Sequence, residues 1–406
     1  MGGSPNFAHP FTDISTGKSI PNKFSFTPPQ RGSVIDFTQF EPFSINVFDP
    51  NTTIPYSMNY NLTVEQQLKG DVILSVAYVG LQGRKLTGVY ELNPAGQNGA
   101  NPICLATPSC NPFSLSSTAP QSFRYPQVNS NGQLIFASIG QIGTYVTSNY
   151  NALQVSAEKH LSHGLRFRAA YTWSHSLDDG SSFEDLGSGF RASDPFNRHN
   201  DYGDSIYDAR QRFVLSYTYD LPSVRRFSAF ERVPSRLTDG WRMTGITTFQ
   251  SGFPISLFDS SLSSLTCNGS FTFYGCPDRP DAIAPPKILD PRTGQIGTGA
   301  NLVDHLFFEP TSFVVPPAGR LGNSGRNFFH GPGINNFDFA LFKDTKLTES
   351  TRIEVRVEFF NLFNHTQFNP VEQVNGVIGD SSSPSFGRVL GAQSSRVIQL
   401  GAKFFF

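Results

Sequence analysis

The chain has 406 residues, a net charge of −1 and an isoelectric point of about 6.7, so it lacks the basic footprint of a nucleic-acid-binding protein. Charged residues make up only 16% of it and aromatic residues 13%, and no run of 18 apolar residues is present to form a transmembrane helix. The chain has few charges and many aromatic residues, yet its mean hydropathy of −0.25 is mildly hydrophilic. This combination suits an all-β protein whose strands have one apolar and one polar face.

Residues 1–54 show little alternation of apolar and polar positions. We assign them to the remnant of an extracellular loop, with SVIDFTQFEPFSINVF as a candidate for the end of a preceding strand. The opening MGGSPNFAHPFTDISTGK has neither a charged n-region nor an apolar h-region, so no signal peptide is visible. The strand patterns occupy residues 55–406.

The first two strand patterns are joined by a tight turn at Lys69-Gly70. In YSMNYNLTVEQQL every second residue from Tyr56 to Val64 is apolar or aromatic, and the residues between them are mostly polar. In DVILSVAYVG the apolar positions alternate from Val72 onwards. A period of two predicts β-strands with one face in an apolar environment.

Four more strand patterns occupy the middle of the chain. YNALQVSAEKHL alternates weakly, whereas LRFRAAYTWSHS and QRFVLSYTYDLP alternate strongly. WRMTGITTFQSGFPISLF has apolar residues at many of its odd positions, from Trp241 to Phe253, Ile255 and Leu257, which predicts one long strand. The tyrosines and tryptophans of these faces suit the aromatic girdles of a membrane barrel.

The C-terminal part alternates most clearly. NNFDFALFKDTKL and TRIEVRVEFFNLF read as a hairpin, and the second of them has one charged face. The final strand has an apolar face that runs to the C-terminus and consists of Ile398, Leu400, Ala402, Phe404 and Phe406.

The connections between the strands alternate in length. Tight links alternate with long ones over residues 84–146, 177–207, 259–334 and 364–393, and an intermediate link covers 222–240. Structureless loops above about 15 residues are uncommon in compact soluble domains. Short turns at one end of the strands and long loops at the other are typical of outer-membrane barrels.

These patterns predict an all-β fold, a partial antiparallel transmembrane β-barrel with about nine to ten long strands, short periplasmic turns and long extracellular loops. The charged positions cannot face lipid, where an arginine at the midplane costs about 2–4 kcal/mol. We therefore predict that they face the lumen and contact a plug or substrate: Arg166, Arg168, Arg212, Arg352, Glu354, Arg356 and Glu358. A secreted soluble β-sandwich with a binding function is an alternative, although sandwich strands average about five or six residues.

Four blocks, in order along the chain, carry a family resemblance: YSMNYNLTVEQQLKGDVILSVAYVGLQGRKL, RHNDYGDSIYDARQRFVLSYTYDLP, GWRMTGITTFQSGFPIS and RVEFFNLFNHTQFNP. Together they resemble the barrel of Oar-like TonB-dependent outer-membrane transporters, a group that also has a carboxypeptidase-regulatory-like domain. The final strand resembles the strand that bacterial outer-membrane proteins present to the barrel-assembly machinery.

The resemblance implies a receptor in the cell outer membrane of a Gram-negative bacterium, with a barrel of about 22 strands around a plug. A plug, a TonB box and a regulatory domain are not visible in this sequence. We therefore expect the C-terminal barrel segment of a transporter for an unidentified substrate, inactive alone. Its partners would be outer-membrane lipid and the assembly machinery, with plug and TonB only in an intact parent. A structural or adhesive barrel without transport is the other alternative.

The four cysteines form two local pairs, Cys104 with Cys110 and Cys267 with Cys276, inside predicted extracellular loops. Their even number and close spacing predict two disulfides that constrain the loops. A zinc site built from all four thiolates is the alternative, but the C-x2-C spacing of such sites is missing.

No catalytic constellation or cofactor motif is present, so we expect neither an enzyme nor a cofactor. The acidic stretch SLDDGSSFED could bind calcium or substrate, but it lacks the spacing of an EF-hand loop and a solvated loop explains it better. His160 and His163 lie beside a tight turn, which favours polar turn residues over a metal pair. We therefore predict no metal site.

Overall fold

The computed structural model describes residues 43–92, 135–181, 193, 197–223, 225, 232–255, 257–259, 279–297, 299, 302–317, 321–369 and 377–406. The strands of these residues are β1 (Phe43–Phe48), β2 (Tyr56–Leu68), β3 (Val72–Glu91), β4 (Phe136–Ser162), β5 (Leu165–Asp178), β6 (Gly203–Asp204), β7 (Gln211–Asp220), β8 (Trp241–Gln250), β9 (Asp281–Ala282), β10 (Gln295–Ile296), β11 (Val303–Asp304), β12 (Phe313–Val314), β13 (Ile334–Lys346), β14 (Arg352–Phe360) and β15 (Val397–Phe405).

The helices of the described residues are short. Two 3-10 helices cover Arg198–Asp201 and Pro310–Ser312, and one turn of α-helix covers Ser235–Thr238. None of the described helices is long and apolar enough to cross a membrane.

Nine long strands form one antiparallel sheet in the order β2, β3, β4, β5, β7, β8, β13, β14, β15. Each long strand therefore pairs with its nearest long neighbours in the chain, as the predicted antiparallel barrel requires. Among the described residues the outer edges of β2 and β15 pair with no other strand, so the sheet remains open. One sheet instead of two stacked sheets contradicts the β-sandwich alternative.

Three tight turns and the longer link between β7 and β8 lie at one end of the sheet, called here the turn end, and the other, long connections lie at the opposite end, the loop end. The turn between β4 and β5 needs Gly164, whose φ is 78°. A Cβ atom there would also lie 2.7 Å from the carbonyl oxygen of Asp220. His163 has a φ of 52° in the same turn, which agrees with the interpretation of this segment as a polar turn.

Two strand boundaries differ from the sequence prediction. β3 and β4 continue to pair as far as Glu91 and Gly140, so both ends of the predicted loop 84–146 belong to the sheet. β8 ends at Gln250, where the sequence pattern had predicted strand through Leu257. Ile255 and Leu257 are instead buried in a hydrophobic cluster beyond the loop end.

The predicted long loops 259–334 and 364–393 are partly folded rather than structureless. The described residues of 251–333 and 361–396, called here the loop assembly, are joined by backbone hydrogen bonds such as Phe258 N to Gly379 O at 3.0 Å. Two short strand pairs, β9 with β12 and β10 with β11, lie within it. Its core consists of Ile255, Leu257, Phe307, Phe308, Phe313, Phe329, Val377, Phe386 and Val389.

β1 lies beside the loop-end half of β4 and pairs with it in parallel, from Phe43 opposite Phe136 to Phe48 opposite Ile142. β5 occupies the same edge of β4 further toward the turn end, from Ser148 to Ser162. β1 covers the last six residues of SVIDFTQFEPFSINVF, but its partner is β4 and not β2, the strand that follows it in the chain.

Candidate functional site

The strand register places all seven charged residues predicted to face the lumen on one face of the sheet, called here the polar face. A continuous row of strand partners connects the two ends of this set, in the order Arg166, Thr218, Thr244, Ala340 and Glu358. Side chains alternate between faces along a strand, so Arg168, Arg212, Arg352, Glu354 and Arg356 share that face. Whether this face lines a lumen remains a prediction.

The opposite face of the sheet, called here the apolar face, exposes large hydrophobic side chains from β2 to β15. Leu62 is 69% exposed and Leu400 is 75% exposed. The predicted apolar face of the final strand belongs to it, because Leu400 lies opposite Val357 and Phe404 opposite Ile353. Such a continuous apolar surface is stable against hydrocarbon and unfavourable against water.

Aromatic side chains collect at the two ends of the apolar face. Near the loop end a row of ring contacts crosses the sheet, with centroid distances of 6.2 Å for Phe213 and Phe249, 5.3 Å for Phe249 and Phe337, and 4.9 Å for Phe337 and Phe363. Trp241 lies at the turn end of the same face. The eight residue steps from Trp241 to Phe249 span about 26 Å along β8 at about 3.3 Å per residue, which is close to the height of a barrel's apolar band before tilt.

On the polar face, charged side chains form a ladder across β8, β13 and β14 near the turn end. Arg242 lies 3.2 Å from Glu354 and 3.8 Å from Asp344, and Arg352 lies 3.7 Å from Asp344. Arg356 lies 3.4 Å from Glu358 on the same strand. Arg242 was missed by the sequence prediction, although its even position in β8 assigns it to the charged face.

A cavity of about 510 Å³ opens on the polar face of the sheet. Its lining combines basic side chains of β5 with acidic side chains of β4, β13 and β14, namely Arg166, Arg168, Glu158, Asp338 and Glu358. Threonine and serine hydroxyls of β7 and β8 lie between these charges. The cavity therefore offers groups of both signs to a polar polypeptide or solute.

A second group of ionisable side chains lies at the loop end and consists of His175, Asp204, Asp208, Arg210 and His330, called here the His–Asp–Arg cluster. Arg210 donates hydrogen bonds to both aspartates. Burial acts to raise the pKa of Asp208, but hydrogen bonds from His330, the Ser176 backbone N–H and Arg210 outweigh it and lower that pKa.

No motif in the sequence indicated this cluster. Its members come from β5, from the connection between β5 and β7, and from the loop assembly, and His175 and His330 are separated by more than 150 residues. No spacing motif can indicate a group of this kind, because only the strand pairing brings the segments together.

Of the other candidate residues from the sequence, some lie in the described part of the structure and others do not. Asp178 is buried and lies 2.7 Å from Arg326, so it is an ion-pair residue and not part of a solvated loop. Burial raises the pKa of the neighbouring Asp179, against a hydrogen bond from the Thr147 backbone N–H. Four predicted positions, Cys104, Cys110, Cys267 and Cys276, lie outside the described residues, as do Glu184 and Asp185.

Three solved structures illustrate what the fold is similar to. The outer membrane transporter YddB from Escherichia coli is 8% identical, with 90% of this chain and 34% of that chain covered and a TM-score of 0.43. The pyoverdine outer membrane receptor FpvA from Pseudomonas aeruginosa PAO1 is 11% identical, with coverages of 87% and 30% and a TM-score of 0.37. The siderophore receptor PiuA from Acinetobacter baumannii is 8% identical, with coverages of 86% and 28% and a TM-score of 0.37.

The chain thus spans about a third of the length of these structures. No curated protein matches its sequence. The family model described as outer membrane beta barrel domain matches residues 2–399, which is nearly the whole chain. The exposed apolar face, the charged opposite face and this match agree, and the chain belongs to the family of outer membrane beta barrel domains and is a protein of the cell outer membrane.

Proposed function

We propose that the chain is the C-terminal barrel segment of a TonB-dependent outer-membrane receptor that takes up a substrate. The observation that carries this proposal is the open nine-stranded sheet, with hydrophobic side chains exposed on one face and charges on the other. Assignment to the Oar-like subgroup rests on the four sequence blocks quoted above.

The free edges of the sheet support completion by further strands. Backbone groups at the outer edges of β2 and β15 have no strand partner among the described residues. In hydrocarbon each unsatisfied backbone group costs several kcal/mol, so a membrane sheet must close. Strands from elsewhere in an intact transporter would satisfy both edges, and β15 would be the strand presented to the barrel-assembly machinery.

The polar face supports contact with a plug inside the closed barrel. It presents Arg166 and Arg168 in one part and the ladder of Arg242, Asp344 and Glu354 in another. A barrel wall with charges of both signs is more complementary to the surface of a folded polar domain than to a single type of permeating ion. The loop assembly would then contact substrate at the extracellular side.

Photo-cross-linking in the bacterium that makes the protein tests this proposal. Thr244 on the polar face is replaced by p-benzoylphenylalanine, and Thr247 on the apolar face of the same strand serves as the matched control. We expect Thr244 to cross-link to a plug polypeptide that mass spectrometry identifies, and Thr247 to cross-link to lipid. Failure of position 244 to cross-link to any polypeptide, or cross-linking to lipid alone, would favour a structural or adhesive barrel without a plug.

A further inference from the structure

The His–Asp–Arg cluster at the loop end has a set of donor atoms that suits a metal ion, which the sequence patterns did not predict. We propose that it binds a divalent transition-metal ion of the zinc class, with His175, His330, Asp204 and Asp208 as ligands. Imidazole and carboxylate are donors that zinc and its neighbours in the first transition row share. This proposal does not depend on the transport function proposed above.

The spacing of the donor atoms supports the proposal. His175 Nε2 lies 3.0 Å from an oxygen of Asp204, and His330 Nε2 lies 3.2 Å from Asp208 and 3.8 Å from Asp204. Ligand atoms of His175, Asp204 and Asp208 all lie within 4.8 Å of one another. Neighbouring ligands about 2.1 Å from a tetrahedral ion lie about 3.4 Å apart, and the three His–Asp distances of 3.0, 3.2 and 3.8 Å lie on either side of that value.

Backbone hydrogen bonds hold the ligands in place before any ion binds. Ser205 N donates to Ser176 O at 2.9 Å and Ser174 N donates to Arg210 O at 2.9 Å, which fixes the aspartate segment against β5. The Ser176 backbone N–H also donates to Asp208 at 2.6 Å. Preorganised ligands with hydrogen-bonded outer oxygens are a feature of specific metal sites.

His330 is positioned from the other side by the loop assembly. The residues flanking it, Phe329 and Gly331, form backbone hydrogen bonds with Ile255 and Phe253 at 3.0 Å and 2.8 Å. Asn327 donates to the carbonyl oxygen of Asp204 at 2.7 Å. An ion bound to both histidines would therefore tie the loop assembly to the end of β5.

The charge balance of the cluster also favours a cation. The two carboxylates and the single guanidinium of Arg210 leave one excess negative charge when both imidazoles are neutral. The Asp208 side chain has no exposed surface, so this excess negative charge lies partly in a low-dielectric environment. The His175 side chain, by contrast, is 40% exposed and leaves the site open to an entering ion.

Metal analysis of the full 406-residue chain in detergent micelles tests the proposal. All cysteines are first reduced and alkylated so that thiolates cannot hold metal, and the protein is loaded with Zn²⁺ and dialysed. We expect about one zinc per chain by mass spectrometry of the metal, as for a specific site with this donor set. In the variant His175→Gln with His330→Gln this zinc should be lost.

The control variant is His305→Gln, because His305 also lies near an aspartate, 3.7 Å from Asp304, but outside the cluster. It should retain zinc at the wild-type level. Tryptophan fluorescence checks that each variant is folded. The single variant His175→Gln changes an exposed ligand with little risk to folding and should weaken zinc binding by about tenfold or more.

Cobalt gives a readout that needs no variant. Co²⁺ added to the alkylated wild-type chain should produce the visible absorption bands of tetrahedral nitrogen and oxygen ligation, and an excess of Zn²⁺ should remove them. Any one of three results would overturn the proposal: the absorption bands are absent, the wild type loses its zinc on dialysis, or the double variant holds as much zinc as the wild type. The cluster would then be only an ion-pair network between loops.

Discussion

The sheet and the loop assembly place the same residue types in opposite environments. On the sheet, Leu62, Leu153 and Leu400 are exposed on one face, between 37% and 75%. In the loop assembly, Leu306 and Phe308 have no exposed surface at all. Most of the hydrophobic core of the described residues lies in the loops, and only a few strand residues such as Ala152 are buried.

This difference identifies the solvent of each region. A segment in water must bury its apolar side chains to gain the hydrophobic contribution to folding. A segment in hydrocarbon gains nothing from burying them, and it must instead satisfy every backbone group and keep charges away from lipid. The loop assembly follows the first rule and the sheet follows the second.

The largest effect is expected from a cavity in the loop core. Leu306→Ala should destabilise the loop assembly by about 2–5 kcal/mol, since it removes a fully buried side chain. Leu390 is 49% exposed in the same assembly, so Leu390→Ala should change the stability of the assembly by less than about 0.5 kcal/mol. Hydrogen exchange of the loop amides measures both. Equal effects would mean that the loop core is not packed as described.

A somewhat smaller effect is expected from a charge on the apolar face. Leu215→Arg on β7 should destabilise the chain in lipid vesicles by about 2–4 kcal/mol, because the arginine would meet hydrocarbon. Its neighbour Ser216 lies on the polar face, and Ser216→Arg should be tolerated. Urea titration of the refolded protein gives both values. If Ser216→Arg is the more harmful change, the two faces have been assigned the wrong way round.

The charge ladder on the polar face should contribute less to the stability of the sheet than either of these side chains. A double-mutant cycle of Arg242→Ala and Glu354→Ala should give a coupling of about 1 kcal/mol or less, because the Arg242 side chain is 34% exposed and water screens the pair. The same urea titration measures it. A coupling indistinguishable from zero would show that the ladder orders the polar face without stabilising it.

The smallest effect concerns pH at the loop end. Burial raises the pKa of Asp179 above its ordinary value. The folded protein therefore holds this proton more tightly than the unfolded chain, and stability falls as the pH rises from about 3.9 through the raised pKa. Asp179→Asn keeps an oxygen for the Thr147 N–H and should flatten that part of the profile. An unchanged profile would contradict the burial of this carboxyl.

Much of the sheet could be predicted because period-two alternation is a direct consequence of strand geometry. It identified the nine long strands and assigned Arg166 and Glu358, which are almost 200 residues apart, to one face. The prediction of strand boundaries failed at the end of β8, because the alternation of apolar residues continues past the strand to Phe253 and Ile255. There Pro254, which has no backbone N–H for a sheet ladder, was the overlooked signal.

The loop assembly and the His–Asp–Arg cluster could not be predicted in the same way. Their contacts join segments far apart in sequence, such as Phe258 with Gly379 and Asp208 with His330. A single sequence shows composition and period, but it does not show which irregular segments meet. Only the packing of the connections against one another at the loop end of the sheet brings these residues together.

The central claim is that one face of the sheet meets hydrocarbon and the other meets water. Spin labels placed one at a time at positions 213 to 218 of β7, in the full chain refolded into lipid vesicles, test it most directly. We predict that collision rates with molecular oxygen peak at 213, 215 and 217, and that collision rates with a water-soluble nickel chelate peak at 214, 216 and 218. The account would be contradicted if both reagents reached all six spin labels equally, or if oxygen collisions peaked at the even positions and nickel-chelate collisions at the odd ones.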